Sequence, residues 1–136
     1  MRRREKGDLV QRWLEKARRD LATAEMALAS PQPFTDIVCF HAQQAAEKYL
    51  KAYLVWKGVP FPRTHALEDL VLLAGQQDVE WLALQDIAAV LTPYAVEARY
   101  PEFEAPLLED AQEAVEIAYQ VREVVLRKLP DDFWQG

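Results

Sequence analysis

The sequence has few of the residues that commonly form catalytic, metal-binding or phosphate-binding sites: 1 cysteine, 2 histidines and 4 glycines among 136 residues. A single cysteine excludes an internal disulfide framework, so a reducing cytoplasm is the expected location, and Cys39 is expected to be a small buried apolar residue. No glycine-rich phosphate loop, CxxC pair or HExxH motif is present. No metal and no cofactor are therefore expected.

Long apolar runs are also missing. No stretch approaches the ~20 apolar residues needed to cross a bilayer, so no membrane association is expected. The basic start, Met1–Lys6, is followed by no apolar segment of the kind found in a secretory signal. We expect these first residues to form a frayed, solvated end.

The chain has enough apolar residues for a core, at 51% of its composition. Its length suits one domain, expected to span 1–136 with a core at about 9–129. Charge is uneven: the chain through Arg63 has 12 basic and 7 acidic residues, whereas the remainder has 4 basic and 15 acidic residues. A polyanionic partner would prefer the first half, and the asymmetry would also allow pairing with a second copy or another protein.

Apolar side chains recur at intervals of three and four residues, without the period-two alternation of strands. This pattern predicts an all-α fold, an antiparallel up-and-down bundle of four to five helices joined by short loops. The second helix is apolar on more than one side and is expected at the centre. Capping residues, glycines and prolines mark the expected helix boundaries: Asp8, Thr35 or Asp36 with Gly58, Thr64 with Gly75, Asp78, Thr92-Pro93, Tyr100-Pro101 and Pro106.

The second helix also has a polar face. Gln44, Lys48 and Lys51 share one side of it, beside a second polar row that includes Gln43 and Glu47. Two glutamines within an apolar helix would be costly if buried without partners. The rows therefore either face water, with Glu47 and Lys51 as a helix ion pair, or form a groove in which amides and ammonium groups meet phosphates or bases.

Two further clusters combine polar residues with backbone breaks. His65 follows a proline-rich connector, where it either helps to cap a turn or transfers protons near neutral pH. Arg99 and Tyr100 precede Pro101. Arg99 is suited to hold a phosphate or a carboxylate through two hydrogen bonds, or else to brace the helix end against a glutamate.

These clusters in series resemble the HEPN family, through Gln43–Ala52, Thr64–Leu67 with Leu70, and Ala98–Pro101. The resemblance extends from about Leu9 to Leu129. It implies a helix bundle, commonly a homodimer, often encoded beside a minimal nucleotidyltransferase. Family members of this kind are thought to bind nucleotides or to form half of a toxin–antitoxin pair, and the related helical domain of kanamycin-type nucleotidyltransferases helps to complete a nucleotide site.

Carried over to this chain, the resemblance implies a nucleotide-binding helper module with no activity alone. Its implied nucleotide-binding residues are Gln44, Lys48, Lys51, His65, Arg99 and Tyr100. HEPN ribonucleases have an arginine followed after four to six residues by histidine, and neither His41 nor His65 has an arginine at that distance. An RNA-cleaving toxin with His65 and Arg99 as catalytic residues is one alternative. A helical dimerisation adaptor without a ligand is another.

Overall fold

The structure is a computed structural model that describes residues 2–133. The described chain is an antiparallel up-and-down helix bundle without strands, which confirms the predicted fold class. Its α-helices are α1 (Arg3–Leu28), α2 (Thr35–Lys57), α3 (Leu67–Gln77), α4 (Gln85–Ala89), α5 (Tyr94–Glu97) and α6 (Leu108–Lys128). Short 3₁₀ turns cover Val79–Leu84 and Asp131–Phe133. Within residues 2–133, no helix is both long enough and apolar enough to cross a membrane.

Helix α2 forms the centre of the bundle, as its apolar pattern predicted. Both α1 and α6 pack extensively on it, and α3 and α5 pack on it as well. The core is rich in alanine from α1, α2 and α6, which lets the long helices approach closely. Cys39 of α2 is fully buried, and burial raises the pKa of its thiol to about 12. It is therefore a protonated core residue at neutral pH, as expected.

The boundaries of α2 follow the predicted signals. The helix begins at Thr35 and ends at Lys57, and Gly58 adopts the left-handed conformation with φ 71°. This conformation strains other residues because of their Cβ atom. The Thr35 hydroxyl donates a 2.6 Å hydrogen bond to the carbonyl oxygen of Pro106, which ties the start of α2 to the segment before α6.

Helix α1 begins at Arg3, five residues before the predicted capping box at Asp8. Arg3 and Lys6 lie over the ring of Trp56 at 5.9 and 5.3 Å from its centroid. These cation–π contacts hold the basic segment against the bundle, whereas its sequence predicted a frayed, solvated end.

The third predicted helix is displaced along the chain. Its N-cap is Ala66 instead of Thr64, whose hydroxyl accepts a 3.0 Å hydrogen bond from the Ala66 amide and forms a turn before the helix. Gly75 does not end the helix, which continues to Gln77. A Cβ at Gly75 would overlap Cδ2 of Leu82, so glycine provides room for the leucine that packs there.

The fourth predicted helix is divided. Asp78 caps its start as predicted, accepting a 3.1 Å hydrogen bond from the Glu80 amide, but the capped segment is a 3₁₀ turn that precedes α4. The expected break at Thr92-Pro93 is present, because α5 begins at Tyr94 directly after the proline. Short elements therefore replace one long helix, and they bring the Arg99 segment against α2.

Candidate functional site

A buried ionic group lies where α2 meets the connector before α3. The Glu47 carboxylate accepts hydrogen bonds from Nδ1 of His65 at 2.7 Å, Nζ of Lys51 at 2.9 Å and Nε2 of Gln43 at 3.2 Å. Gln43 also donates to the carbonyl oxygen of His65 at 3.0 Å. We call these four residues the Glu47 cluster. The cost of burying Gln43 is thus offset, because its amide has partners on both α2 and the connector.

Charge in the Glu47 cluster is balanced internally. Burial disfavours the ionised Glu47, but hydrogen bonds from His65, Lys51 and Gln43 outweigh that effect and lower the pKa of its carboxyl group. The Glu47 side chain is only 5% exposed and that of Lys51 10%. The Lys51 ammonium also lies 5.6 Å from the ring centroids of Trp13 and Phe61. Lys51 is therefore committed to contacts within the bundle.

Lys48 has a partner on the neighbouring helix. Its ammonium lies 2.5 Å from Oδ2 of Asp20 in α1, and Nδ1 of His41 lies 2.9 Å from the other oxygen of that carboxylate. All three side chains are partly buried. Sequence reasoning missed Asp20 because it lies 28 positions before Lys48, and helix periodicity carries no signal for a pair between helices.

The Arg99 guanidinium lies on another part of α2. Its Cζ is 5.4 Å from the centre of the Phe40 ring, and the next residue, Tyr100, is 50% exposed. Among residues 2–133, no carboxylate lies within 4.0 Å of Arg99, so the expected Arg–Glu brace does not form there. We call Phe40, Arg99 and Tyr100 the Arg99 corner. Its cation is exposed and forms no salt bridge within residues 2–133.

Gln44 lies between these two groups. It sits one helical turn after Phe40 and donates a 2.6 Å hydrogen bond to Oε1 of Gln43, the amide that contacts Glu47. A half-buried amide thus contacts the Glu47 cluster one helical turn away from Phe40. Nothing in the sequence indicated that Phe40 would support Arg99, since an aromatic residue on a helix is most often part of the core.

A cavity borders the Arg99 corner at Tyr100. It has a volume of about 300 Å³, counting space open to solvent, and Tyr94, Phe103 and Pro106 form apolar parts of its lining. Asp36, Glu97 and Glu104 provide carboxylates. The lining of this cavity suits N–H donors better than a phosphate, because carboxylates accept hydrogen bonds from N–H groups and repel anions.

The six predicted binding residues therefore fall into two sets. Lys48, Lys51 and His65 contact internal carboxylates, whereas Gln44, Arg99 and Tyr100 lie at or beside the open corner. His65 combines an internal contact with exposure to solvent. Glu47 engages its Nδ1, and its side chain is still 54% exposed, which leaves Nε2 as the nitrogen available for other contacts.

Comparisons with known proteins agree on one family. A family model for the HEPN domain matches residues 10–129. The crystal structure of TT1696 from Thermus thermophilus is similar with a TM-score of 0.73 and 31% identity, covering 88% of this chain and 98% of that one. ST0689, an archaeal HEPN homologue, is similar with a TM-score of 0.71 and 25% identity, covering 88% and 96%. No curated protein matches the chain.

Proposed function

The chain belongs to the HEPN domain family, and on that premise we propose that it is a nucleotide-binding module that works with a separate nucleotidyltransferase chain. We further propose that the two chains form a toxin–antitoxin pair and that this chain acts as a homodimer without enzymatic activity of its own. The nucleotide site is assigned to the Arg99 corner, with Gln44 and His65 on its border.

The observation that supports this assignment most strongly is the open charge of Arg99. Lys48 and Lys51 already bind Asp20 and Glu47, so a phosphate would have to compete with a carboxylate for either of them. Arg99 offers a planar set of donors with no carboxylate partner in the described chain. We therefore assign the phosphate contact to Arg99, and give Lys48 and Lys51 the role of holding the face of α2 in place.

The surroundings of Tyr100 support a site for the base. Its exposed ring can stack on a purine or pyrimidine, and the adjoining cavity has carboxylates at Asp36, Glu97 and Glu104 that can accept hydrogen bonds from base N–H groups. A nucleotide would then have its phosphate beside the positive charge of Arg99 and its base beside Tyr100 and the hydrogen-bond acceptors of the cavity.

A thermal-shift screen tests this proposal, using the purified chain with ATP, GTP, the other nucleoside triphosphates and short RNA. A ligand at about 100 times its dissociation constant should add about 2.7 kcal/mol, or roughly 8–12 °C for a domain of this size. The shift should be lost in Arg99→Glu. It should persist in the matched control Arg12→Glu, which changes an exposed arginine on α1. Absence of a shift with every ligand would contradict the proposal.

Exposed apolar side chains support the homodimer. Phe34, Val96, Leu107 and Leu108 are all exposed, and the first of these lies beside the start of α2. Such residues are commonly covered when two copies associate. Light scattering during size-exclusion chromatography should give twice the chain mass, and Phe34→Asp combined with Leu107→Asp should shift it toward one chain. A monomeric wild-type protein would contradict the dimer.

One observation favours a second function, RNA cleavage. The buried Glu47 carboxylate orients His65 through Nδ1 and leaves Nε2 for proton transfer, an arrangement suited to a general acid or base. Arg99 would then stabilise charge on the phosphate. This alternative predicts cleavage of RNA in the presence of EDTA that is abolished by His65→Ala. An intact RNA substrate after prolonged incubation would rule it out.

A further inference from the structure

A groove runs between α1 and α6. Its lining includes no residue of the Glu47 cluster or the Arg99 corner. Both helices pack on α2 but contact each other much less, so a channel stays open over Tyr49. Two adjoining cavities of about 550 and 410 Å³, counting space open to solvent, share Arg18, Tyr49 and Arg122.

The groove contains a cation without a carboxylate partner. Arg122 is half-buried, and among residues 2–133 no carboxylate lies within 4.0 Å of it. Its Cζ lies 5.9 Å from the centre of the Tyr119 ring. One of its donors faces the Tyr49 hydroxyl, and because a guanidinium has five N–H donors, others remain for a ligand.

Tyr49 adds a neutral donor at the floor of the groove. Its side chain is almost fully buried, and burial raises the pKa of its phenol although Arg122 and Arg18 partly oppose that effect. The hydroxyl is therefore protonated at neutral pH and can donate a hydrogen bond. A protonated phenol beside a guanidinium is a suitable pair of donors for one anionic group.

The other charges of the groove indicate what kind of anion fits. Arg18 is held by Glu15 through two hydrogen bonds of 2.8 and 3.1 Å, and Glu25 accepts a hydrogen bond from the Tyr119 hydroxyl. The lining thus has two arginines and two glutamates, with formal charges that cancel. A dianion or a polyphosphate would be repelled by both glutamates, whereas a single negative charge can be compensated by Arg122.

The walls are apolar on either side of these donors. Leu14 and Leu126 line one part of the groove, and Leu21 and Ala22 line the other. We propose that the groove binds a small apolar monocarboxylate, whose carboxylate contacts Arg122 and Tyr49 and whose body lies along the leucines. This site is separate from the Arg99 corner, so it does not depend on the proposed nucleotide function.

The proposal can be tested with 1-naphthaleneacetate as the probe, by following backbone amide shifts of the full-length protein in nuclear magnetic resonance spectra. We expect saturable shifts in α1 and α6 near the groove. Arg122→Gln should weaken binding roughly tenfold or more, the effect expected on losing charge-assisted hydrogen bonds. Arg12→Gln, at an exposed site on α1 outside the groove lining, is the matched control and should leave affinity unchanged.

Two further probes with the same ring but a different charge test whether the groove requires a single negative charge. The neutral 1-naphthaleneacetamide and the dianionic 1-naphthyl phosphate should both bind more weakly than the monocarboxylate. Equal binding of the amide would overturn the role of Arg122, and tighter binding of the phosphate would overturn the assigned charge. Shifts that do not map to the groove, or no binding of the carboxylate, would overturn the site itself.

Discussion

The Glu47 cluster and the Arg99 corner lie against the same helix, yet their charges are used in different ways. In the Glu47 cluster, the carboxylate has three donors, three of the four residues are buried, and the ammonium of Lys51 packs near two aromatic rings. At the Arg99 corner, an exposed guanidinium rests on Phe40 without a carboxylate in the described chain. A closed network holds the fold, whereas an open cation is free to bind a ligand.

Candidate binding residues are therefore ranked by their partners and not by their residue type. The resemblance to the family placed Lys48, Lys51 and Arg99 in a single candidate site, but their contacts separate them. The two lysines have carboxylates from α1 and α2 within 3 Å. Changes that break the closed network should accordingly cost the most stability, and changes outside it should cost little.

Glu47→Ala should have the largest effect on stability. It would leave Lys51 buried without its carboxylate and remove an acceptor from His65 and Gln43. We expect the free energy of unfolding in urea to fall by about 3–5 kcal/mol, the usual cost of breaking a buried pair. Glu15→Ala, which removes an exposed pair with Arg18, is the control and should change little. An equally small effect at both sites would show that the Glu47 cluster is not closed.

Lys48→Glu should destabilise the protein less, by about 2 kcal/mol, because it replaces a charged hydrogen bond with repulsion from Asp20. At a solvated helix position without such a partner, the same change would cost little stability. Asp20→Lys in the same chain restores opposite charges and should recover part of the lost unfolding free energy, as a double-mutant cycle in urea can measure. An absence of coupling between the two positions would contradict the pair.

The contribution of Glu47 to the free energy of unfolding should decrease as the pH falls. Its pKa in the folded protein is lowered from 4.5. A lowered carboxyl pKa stabilises the folded state above the unfolded pKa, and this stabilisation is lost as pH falls through the folded value. The stabilisation that Glu47 provides relative to Glu47→Gln should therefore be retained above about pH 4.5 and shrink as pH falls below it. A difference that grows on acidification would contradict the lowered pKa.

Tyr53→Phe should have a small effect of opposite sign. The Tyr53 hydroxyl is buried and has no hydrogen-bond partner among residues 2–133, so its removal relieves a desolvation cost. We expect a gain of up to about 1 kcal/mol in unfolding free energy. Tyr119→Phe is the matched control, since the Tyr119 hydroxyl donates to Glu25 and its loss should not stabilise the protein. Destabilisation by Tyr53→Phe would reveal a partner for that hydroxyl.

The sequence predicted the helices more fully than it predicted the site. Apolar periodicity and Gly58 defined α2, and Pro93 marked the start of α5, because these signals act within a few residues. Gly75 misled the prediction, since its small size serves packing against Leu82 and not a helix end. The pairs Lys48–Asp20 and Arg99–Phe40 join distant parts of the chain, which local patterns do not encode.

For the same reason, local sequence patterns could not predict the groove between α1 and α6. Arg122 was visible in the sequence only as one of four basic residues in an acidic half. Its proximity to Tyr49 depends on how α6 packs against α2. Residues of a site that is assembled from three helices become recognisable only after the packing is known, whereas the family motifs within α2 are contiguous.

We propose that a nucleotide binds at the open charge of Arg99 and not at the lysines of α2. Amide shifts of the full-length protein during titration with ATP and GTP test this claim most directly. We predict saturable shifts at residues 40–44 and 98–101, and little change at residues 47–51. Shifts concentrated at residues 47–51, or persisting unchanged in Arg99→Glu, would contradict the claim.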